Sequence, residues 1–327
     1  MRVLAEYGRE DIAVVYLGET SKGSLVEFVE ALQPPFPVSE KWVLIVSTLK
    51  GCPIRCKMCD AGGYYEGVLD EDEIMEQLQY MIERRFPDGN VSSKKFKIQF
   101  ARVGEPALNE NVLTVLEKLS GYRNLIPCIS TVAPAGRENF FERLQLVKDE
   151  HYRGRFQLQF SVHSTDEEQR NRLMPVRKWS LEQIAEYGEK FVKENDRKIT
   201  LNFAVSEGSI LDARKILKIF SKEKFLVKVT PVNPTHNAQR NGLKSDVDVT
   251  TGMPIKHRKF VEELRDSGFE VILSVGHLEE NKIGSNCGMY IRRHLSERLE
   301  NPCAYTYLSA QIQSSQGAER KTISAER

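Results

Sequence analysis

The sequence predicts an α/β fold: a partial (β/α)6 barrel with a short N-terminal β-rich extension and a C-terminal extension. Three observations carry this prediction. Apolar β-branched and aromatic runs alternate six times with longer helical patterns, and strands followed by helices build a parallel sheet through right-handed crossovers. Six units are fewer than the eight that close a barrel, so the sheet is expected to stay open. A dense cysteine cluster follows the first of these strands, at the end of a parallel barrel where active-site loops gather.

The predicted strands span 42–48, 96–102, 126–132, 156–162, 199–205 and 225–232, and the predicted helices 70–83, 109–119, 138–147, 180–193, 211–221 and 254–266. Two helix starts carry chemical punctuation. Asp70 followed by Glu73, and Ser180 followed by Gln183, have the spacing of capping boxes, in which each partner satisfies an orphan backbone N–H. Before the barrel, 12–16 and 25–28 are strand-like with a turn at 19–23, and Pro34-Pro35-Phe36-Pro37 breaks the run. The expected organisation is therefore an extension over 1–40, a barrel core over 41–275, a C-terminal extension over 276–310 and a frayed polar tail over 311–327.

Composition narrows the class. The 327 residues carry 47 Lys+Arg against 46 Asp+Glu, a formal net charge of +1, with 40% hydrophobic and 28% charged residues. That balance suits a globular chain and gives no global support for nucleic-acid binding. No run approaches the roughly 18 apolar residues of a membrane helix, and the charged start lacks a signal-peptide core. Six cysteines, three within eight residues, do not make a disulfide scaffold. A cytoplasmic location with no membrane partner is expected, the cysteines serving as ligands or reagents.

Those three are Cys52, Cys56 and Cys59, in Gly51-Cys52-Pro53-Ile54-Arg55-Cys56-Lys57-Met58-Cys59. A closed zinc site needs four ligands, and no fourth cysteine or histidine follows at finger-like spacing. Three thiolates suit a 4Fe–4S cluster with one iron left open, whereas an electron-transfer cluster takes four. A zinc loop completed by a remote residue is the bland alternative.

C-x3-C-x2-C after the first strand of a six-fold βα chain resembles the radical S-adenosylmethionine (SAM) enzymes. The resemblance implies that Cys52, Cys56 and Cys59 hold one 4Fe–4S cluster. Its open iron would chelate SAM, whose reductive cleavage yields a 5′-deoxyadenosyl radical. Met58 stands where that superfamily usually has an aromatic residue. Further motifs resemble the RlmN and Cfr methyltransferases: Gly104-Glu105-Pro106, Ser130-Thr131, Ser161-Val162-His163, Thr230-Pro231-Val232-Asn233-Pro234 and Asn286-Cys287-Gly288. By that resemblance Gly104, Glu105, Ser130, Ser161, His163 and Asn233 line the SAM site, and Cys287 is the thiol that carries a methyl group. Taken singly, each has a plainer reading: Glu105 as a helix cap, the serines and Asn233 as turn residues, His163 as a satisfied structural histidine. Cys128 reads as core.

The resemblance also implies a second cysteine seven residues before Cys52, where this chain has Ile45. Isoleucine can neither form a disulfide nor transfer a proton, so the family's release step needs a substitute, Cys303 or Cys128. RNA-modifying relatives carry an N-terminal RNA-binding domain, and only about 40 residues precede the barrel here. Glu66, Asp70, Glu71, Asp72, Glu73 and Glu76 crowd the stretch after the cluster, a poor surface for phosphates. Arg214, Lys215, Lys218, Lys222, Lys224 and Lys228, with Arg292, Arg293 and Arg298, could instead dock an acidic electron donor such as flavodoxin or ferredoxin.

The leading expectation is thus an RlmN/Cfr-like radical SAM enzyme, methylating or otherwise modifying a substrate other than ribosomal RNA. Three alternatives stand beside it: an RNA adenosine methyltransferase with a substitute cysteine, a radical SAM oxidoreductase using Cys287 as hydrogen donor or substrate ligand, and a non-enzymatic metal-binding protein.

Overall fold

A computed structural model of the chain describes residues 1–286 and 289–295. The chain starts with an antiparallel meander of β1 (Arg2–Arg9), β2 (Ala13–Glu19) and β3 (Leu25–Ala31), in which Ala13 faces Ala31 and Glu19 faces Leu25. The turn between β2 and β3 falls on the predicted 19–23 stretch. β1 was not expected, because its apolar residues are interrupted by charges. The meander does not stand apart from the barrel. Val29 of β3 pairs with Ile45 of β4 (Lys41–Val46), so the N-terminal strands extend the main sheet.

From β4 onward the main sheet is parallel. A small hairpin of β5 (Leu49–Gly51) and β6 (Tyr65–Val68) follows β4, then α1 (Glu71–Arg85), β7 (Lys95–Phe100) and α2 (Asn111–Lys118). Next come β8 (Leu125–Thr131), α3 (Glu138–His151), β9 (Gln157–Ser161), α4 (Glu167–Leu173) and α5 (Leu181–Phe191). The chain continues through β10 (Ile199–Val205), α6 (Ala213–Ile219), β11 (Phe225–Pro231), α7 (His236–Arg240) and α8 (Arg258–Asp266). The described residues end with β12 (Val271–Leu273), α9 (Leu278–Ile283) and α10 (Tyr290–Leu295). Among the described residues the sheet has ten strands in the order β1-β2-β3-β4-β7-β8-β9-β10-β11-β12. β1 and β12 lie at opposite edges, so the sheet does not close.

All six predicted parallel strands are present. β12 is a seventh, pairing Val271 with Val227, and its three residues are too few to show a period. Both capping boxes form: Asp70 and Ser180 accept from the backbone of Glu73 and Gln183, whose side chains return the bond. The acidic stretch does more than serve the helix dipole. Thr20 donates to Glu73 at 2.9 Å, and Glu76 takes Ser21 and the N-terminal amine at 3.1 Å, fastening the β2–β3 turn to α1.

The strands are two-faced. Phe96, Ile98, Phe100, Leu158, Phe160, Leu201, Phe203, Val227 and Val229 are buried in the core shared with the helices. Alternation then sends Lys97, Gln99, Gln159, Asn202 and Lys228 to the concave face. A second apolar cluster packs β1–β4 against Ala61, Val103, Ile283 and Tyr290, with Ile45, Cys52 and Cys59 at its margin. No described helix is long and apolar enough to cross a membrane.

Candidate active site

The β5–β6 hairpin presents residues 52–59 as a loop over the C-terminal ends of the strands. Gly51 begins it with φ +82°, and a Cβ there would lie 2.1 Å from the Tyr64 carbonyl oxygen, so only glycine lets the hairpin strands approach this closely. Cys52 N–H donates to that carbonyl at 2.9 Å. The far side of the loop is pinned across the barrel: Thr235 donates to the Met58 carbonyl at 2.8 Å and Asn237 to that of Cys59 at 2.7 Å. Asp60 accepts from the His236 and Asn237 backbone at 3.0 and 2.8 Å. Met58, in the place of an aromatic residue, is buried with Ile54, Val132, Leu173 and Met174.

Below the loop lies a cavity of about 360 Å³, within the range of small-molecule sites. Cys52, Cys56 and Cys59 form part of its wall, and Gly104, Glu105, Ser130, Ser161, His163 and Asn233 another part. Residues as far apart as 52 and 233 are thus brought to one space. Cys287 and Cys303 lie outside the described residues, as do Arg298 and the expected tail; of the Arg292 and Arg293 side chains nothing is described. Asn286 reaches the cavity wall.

Each lining residue has a structural reason for its position. Gly104 has φ +113°, and a Cβ there would meet Leu49 Cγ at 2.6 Å and its backbone nitrogen at 2.8 Å. Glu105 caps the short 3-10 helix Pro106–Leu108, accepting from Ala107 N–H at 3.1 Å, which is the plainer role considered for it. Its carboxylate also takes the Thr131 hydroxyl and Val132 N–H, the latter at 2.8 Å. Burial outweighs these bonds and pushes its pKa up to about 7, leaving a buried acid that a bound cation would ionise. His163 adopts φ +61° and is buried. Its Nδ1 accepts from Ala204 N–H at 3.0 Å, which leaves the proton on Nε2. Burial and Arg170 hold its pKa down at about 4, so the ring is a neutral donor. Ser130 accepts from Gln159 at 3.3 Å.

Arg102, which also lines the cavity, belongs to a fully buried ion pair. Its Nη2 and Nε donate to Glu27 Oε2 at 2.7 and 3.1 Å, and its Nη1 to the Gly284 and Ser285 carbonyls, both at 2.9 Å. Glu27 Oε1 accepts from Ile291 N–H at 2.7 Å. The pair therefore grips the C-terminal segment on both sides of position 287. Sequence reasoning missed it, along with Gln99, Gln159, Asn202 and Lys228 in the cavity wall. The available signal was polar residues at every second position of strands whose other residues are apolar, when strands buried on both faces read as continuous apolar runs.

The basic stretch is not one surface. Lys228 faces the barrel interior, Lys215 donates to the Thr165 carbonyl at 2.8 Å and Lys224 pairs with Glu189 at 3.1 Å.

The site fits three-cysteine cluster chemistry. Burial pushes the Cys52 thiol up to about 11 and Cys56 higher still, so these sulfurs become thiolates only when metal draws the proton off. Among the described residues no three His, Cys, Asp or Glu side chains are grouped to hold a single metal ion.

No family model matches the chain. The probable dual-specificity RNA methyltransferase RlmN of Petrotoga mobilis is 25% identical over 309 residues, covering 90% of this chain and 79% of that protein. Its counterpart in Pseudothermotoga lettingae is 26% identical over 299 residues, covering 88% and 79%. A crystal structure of a radical SAM methyltransferase from Sphaerobacter thermophilus aligns with TM-score 0.68 at 20% identity, covering 88% of this chain and 80% of that one. That structural likeness establishes the fold. The sequence relatives make the chain an enzyme similar to radical SAM methyltransferases, a group that works with a 4Fe–4S cluster and SAM. Within that class the chain resembles the RlmN-type methyltransferases.

Proposed function

We propose that Cys52, Cys56 and Cys59 hold the cluster, that Glu105, Ser130, Ser161, His163 and Asn233 with the backbone at Gly104 position SAM, and that Cys287 is a methyl carrier or catalytic thiol. The substrate is not ribosomal RNA. The observation that carries the assignment is the shared cavity: the three thiols and this polar set line one space of about 360 Å³. When bound, the cluster supplies one-electron reductive cleavage of SAM. Glu105 offers a buried carboxylate to the amino acid's ammonium, and that cation returns the carboxyl to its charged form. His163 donates from Nε2 and cannot act as a base at neutral pH, because its ring is held neutral with Nδ1 occupied. Met58, Ile54 and Val132 supply apolar wall beside the cysteines and limit water there.

Ile45 supports a substrate and release step unlike those of the RNA enzymes. It packs at the margin of the apolar cluster that also holds Cys52 and Cys59, and no thiol chemistry is available at that position. Anaerobic reconstitution tests the reading. The wild type should bind about four irons with charge-transfer absorption and release 5′-deoxyadenosine with dithionite; alanine at Cys52, Cys56 or Cys59 should abolish both. Peptide mass spectrometry of Cys287 after incubation with methyl-labelled SAM separates a methyl carrier from other thiol roles. Zinc without iron in anaerobically purified protein would overturn the assignment.

A further inference from the structure

Three lysines lie on the concave face of the sheet: Lys41 at the start of β4, Lys97 in β7 and Lys228 in β11. Their strand neighbours Trp42, Phe96 and Val227 are buried on the helix side, so alternation turns the lysines inward. They act on one another. Burial first, then Lys97, lowers the pKa of both Lys228 and Lys41, and Lys41 in turn lowers that of Lys228. Nearby Lys94 and Lys198 pair with Glu40 and Glu270 and Lys41 donates to Gln33 Oε1, yet among the described residues none of the three has a carboxylate within ion-pair distance. Half-burying like charges without a counter-charge costs stability, and such groups gather where a ligand supplies the opposite charge.

A second observation comes from the next strand. Asn202 pairs in register with Lys228 and with Ser161. It is 9% exposed, lines the cavity, and its buried side-chain oxygen has no hydrogen-bond partner. Lys228 lines the same cavity. A cation without a carboxylate partner thus sits beside an amide oxygen that lacks a donor, about 6.6 Å along the strand below Thr230 at the rim.

We propose that this floor of the barrel is a substrate subsite in which Lys228, backed by Lys97, takes an oxyanion while Asn202 Oδ1 accepts from a hydrogen-bond donor next to it. The substrate is then a small molecule bearing a phosphate or carboxylate close to a hydrogen-bond donor such as a hydroxyl, amine or amide N–H. A polynucleotide backbone needs an exposed basic track, and these lysines lie half-buried inside the barrel. Through Ser161 the subsite adjoins the proposed SAM position, so a substrate anchored here would border the reacting centre. Calling the anion a substrate group rests on the proposed function; its binding does not.

The test is titration of the full-length, anaerobically purified chain with orthophosphate and, separately, acetate, by calorimetry and thermal shift. Saturable binding is expected, with phosphate tighter for a phosphoryl substrate and acetate tighter for a carboxylate. Lys228→Gln should weaken it roughly tenfold or more, the loss of one charge-assisted contact. Lys97→Gln should weaken it less, Lys228→Arg should retain it, and the exposed Lys218→Gln should leave it unchanged. Lys228→Gln should also raise the apparent Tm without ligand, since a like-charge contact is removed. Saturating SAM should not displace the anion. The proposal falls if the wild type shows no saturable binding, if Lys228→Gln binds as the wild type does, if SAM competes with the anion, or if RNA binds in preference to both anions. Failure of 5′-deoxyadenosine release with intact anion binding would instead sink the radical SAM assignment and leave the subsite standing.

Discussion

Replacing Arg102 with leucine removes one half of the fully buried ion pair with Glu27 and leaves the other half stranded. Four contacts go at once: two to Glu27 Oε2 and two to the carbonyls of Gly284 and Ser285. Breaking a buried pair from one side costs about 3–5 kcal/mol, because an uncompensated charge remains in a dry site. At about 2.1 cal/mol/K per residue, a folded body of roughly 290 residues has an unfolding entropy near 0.6 kcal/mol/K, so the expected fall in Tm is about 5–8 °C. Glu27→Gln/Arg102→Leu should recover part of the loss, since the buried charge is gone while the amide oxygen still accepts from Ile291. The assay is thermal unfolding followed by circular dichroism, with hydrogen exchange over residues 284–291. Exchange there should accelerate more than in the helix-side core, because the pair joins that segment to β3 and to the residues just past β7. A Tm shift below about 2 °C, or unchanged protection of 284–291, would refute the reasoning.

Other consequences can be measured directly. Glu105 titrates near 7 in the fold against an ordinary value near 4.5, so between those pH values the folded state holds the extra proton. Its contribution to stability is therefore lost as pH rises through that window, by about 3 kcal/mol; ligand-free Glu105→Gln should lose less stability than wild type between pH 5 and 7 in urea unfolding. Gly104→Ala places a methyl group within 3 Å of Leu49 at φ +113° and should cost about 2–4 kcal/mol, read from the urea midpoint. His163→Val puts a β-branched residue at φ +61° and orphans the Ala204 N–H; about 2–4 kcal/mol should be lost, with His163→Asn closer to wild type. Ser180→Ala removes a capping box and should cost about 1 kcal/mol without altering iron content.

The sequence by itself determined the alternation of strands and helices, both capping boxes and the three-cysteine loop after the first parallel strand. These are local: period, cap chemistry and spacing are written in neighbouring residues and survive whatever the chain packs against. Gly104, Glu105, Ser130, Ser161, His163 and Asn233 formed a set only through the resemblance to the RlmN and Cfr methyltransferases, since each taken singly reads as a cap, a turn or a structural residue; the fold places all six on one cavity wall. Only the tertiary structure decided that the N-terminal meander joins the main sheet, since edge pairing depends on which backbone is free and not on the strand's own pattern. The Arg102–Glu27 pair joins residues 75 positions apart, and no sequence period announces such a contact. The lysines were the clearest loss. Read along the chain, Lys228 belonged to a basic stretch suited to docking an acidic electron donor; in the sheet, pleating turns it inward with Lys97 and Lys41, because side chains on alternate positions share a face only after the strands are laid side by side. The near-zero net charge, silent about any partner, hides a lysine turned into the cavity beside Asn202.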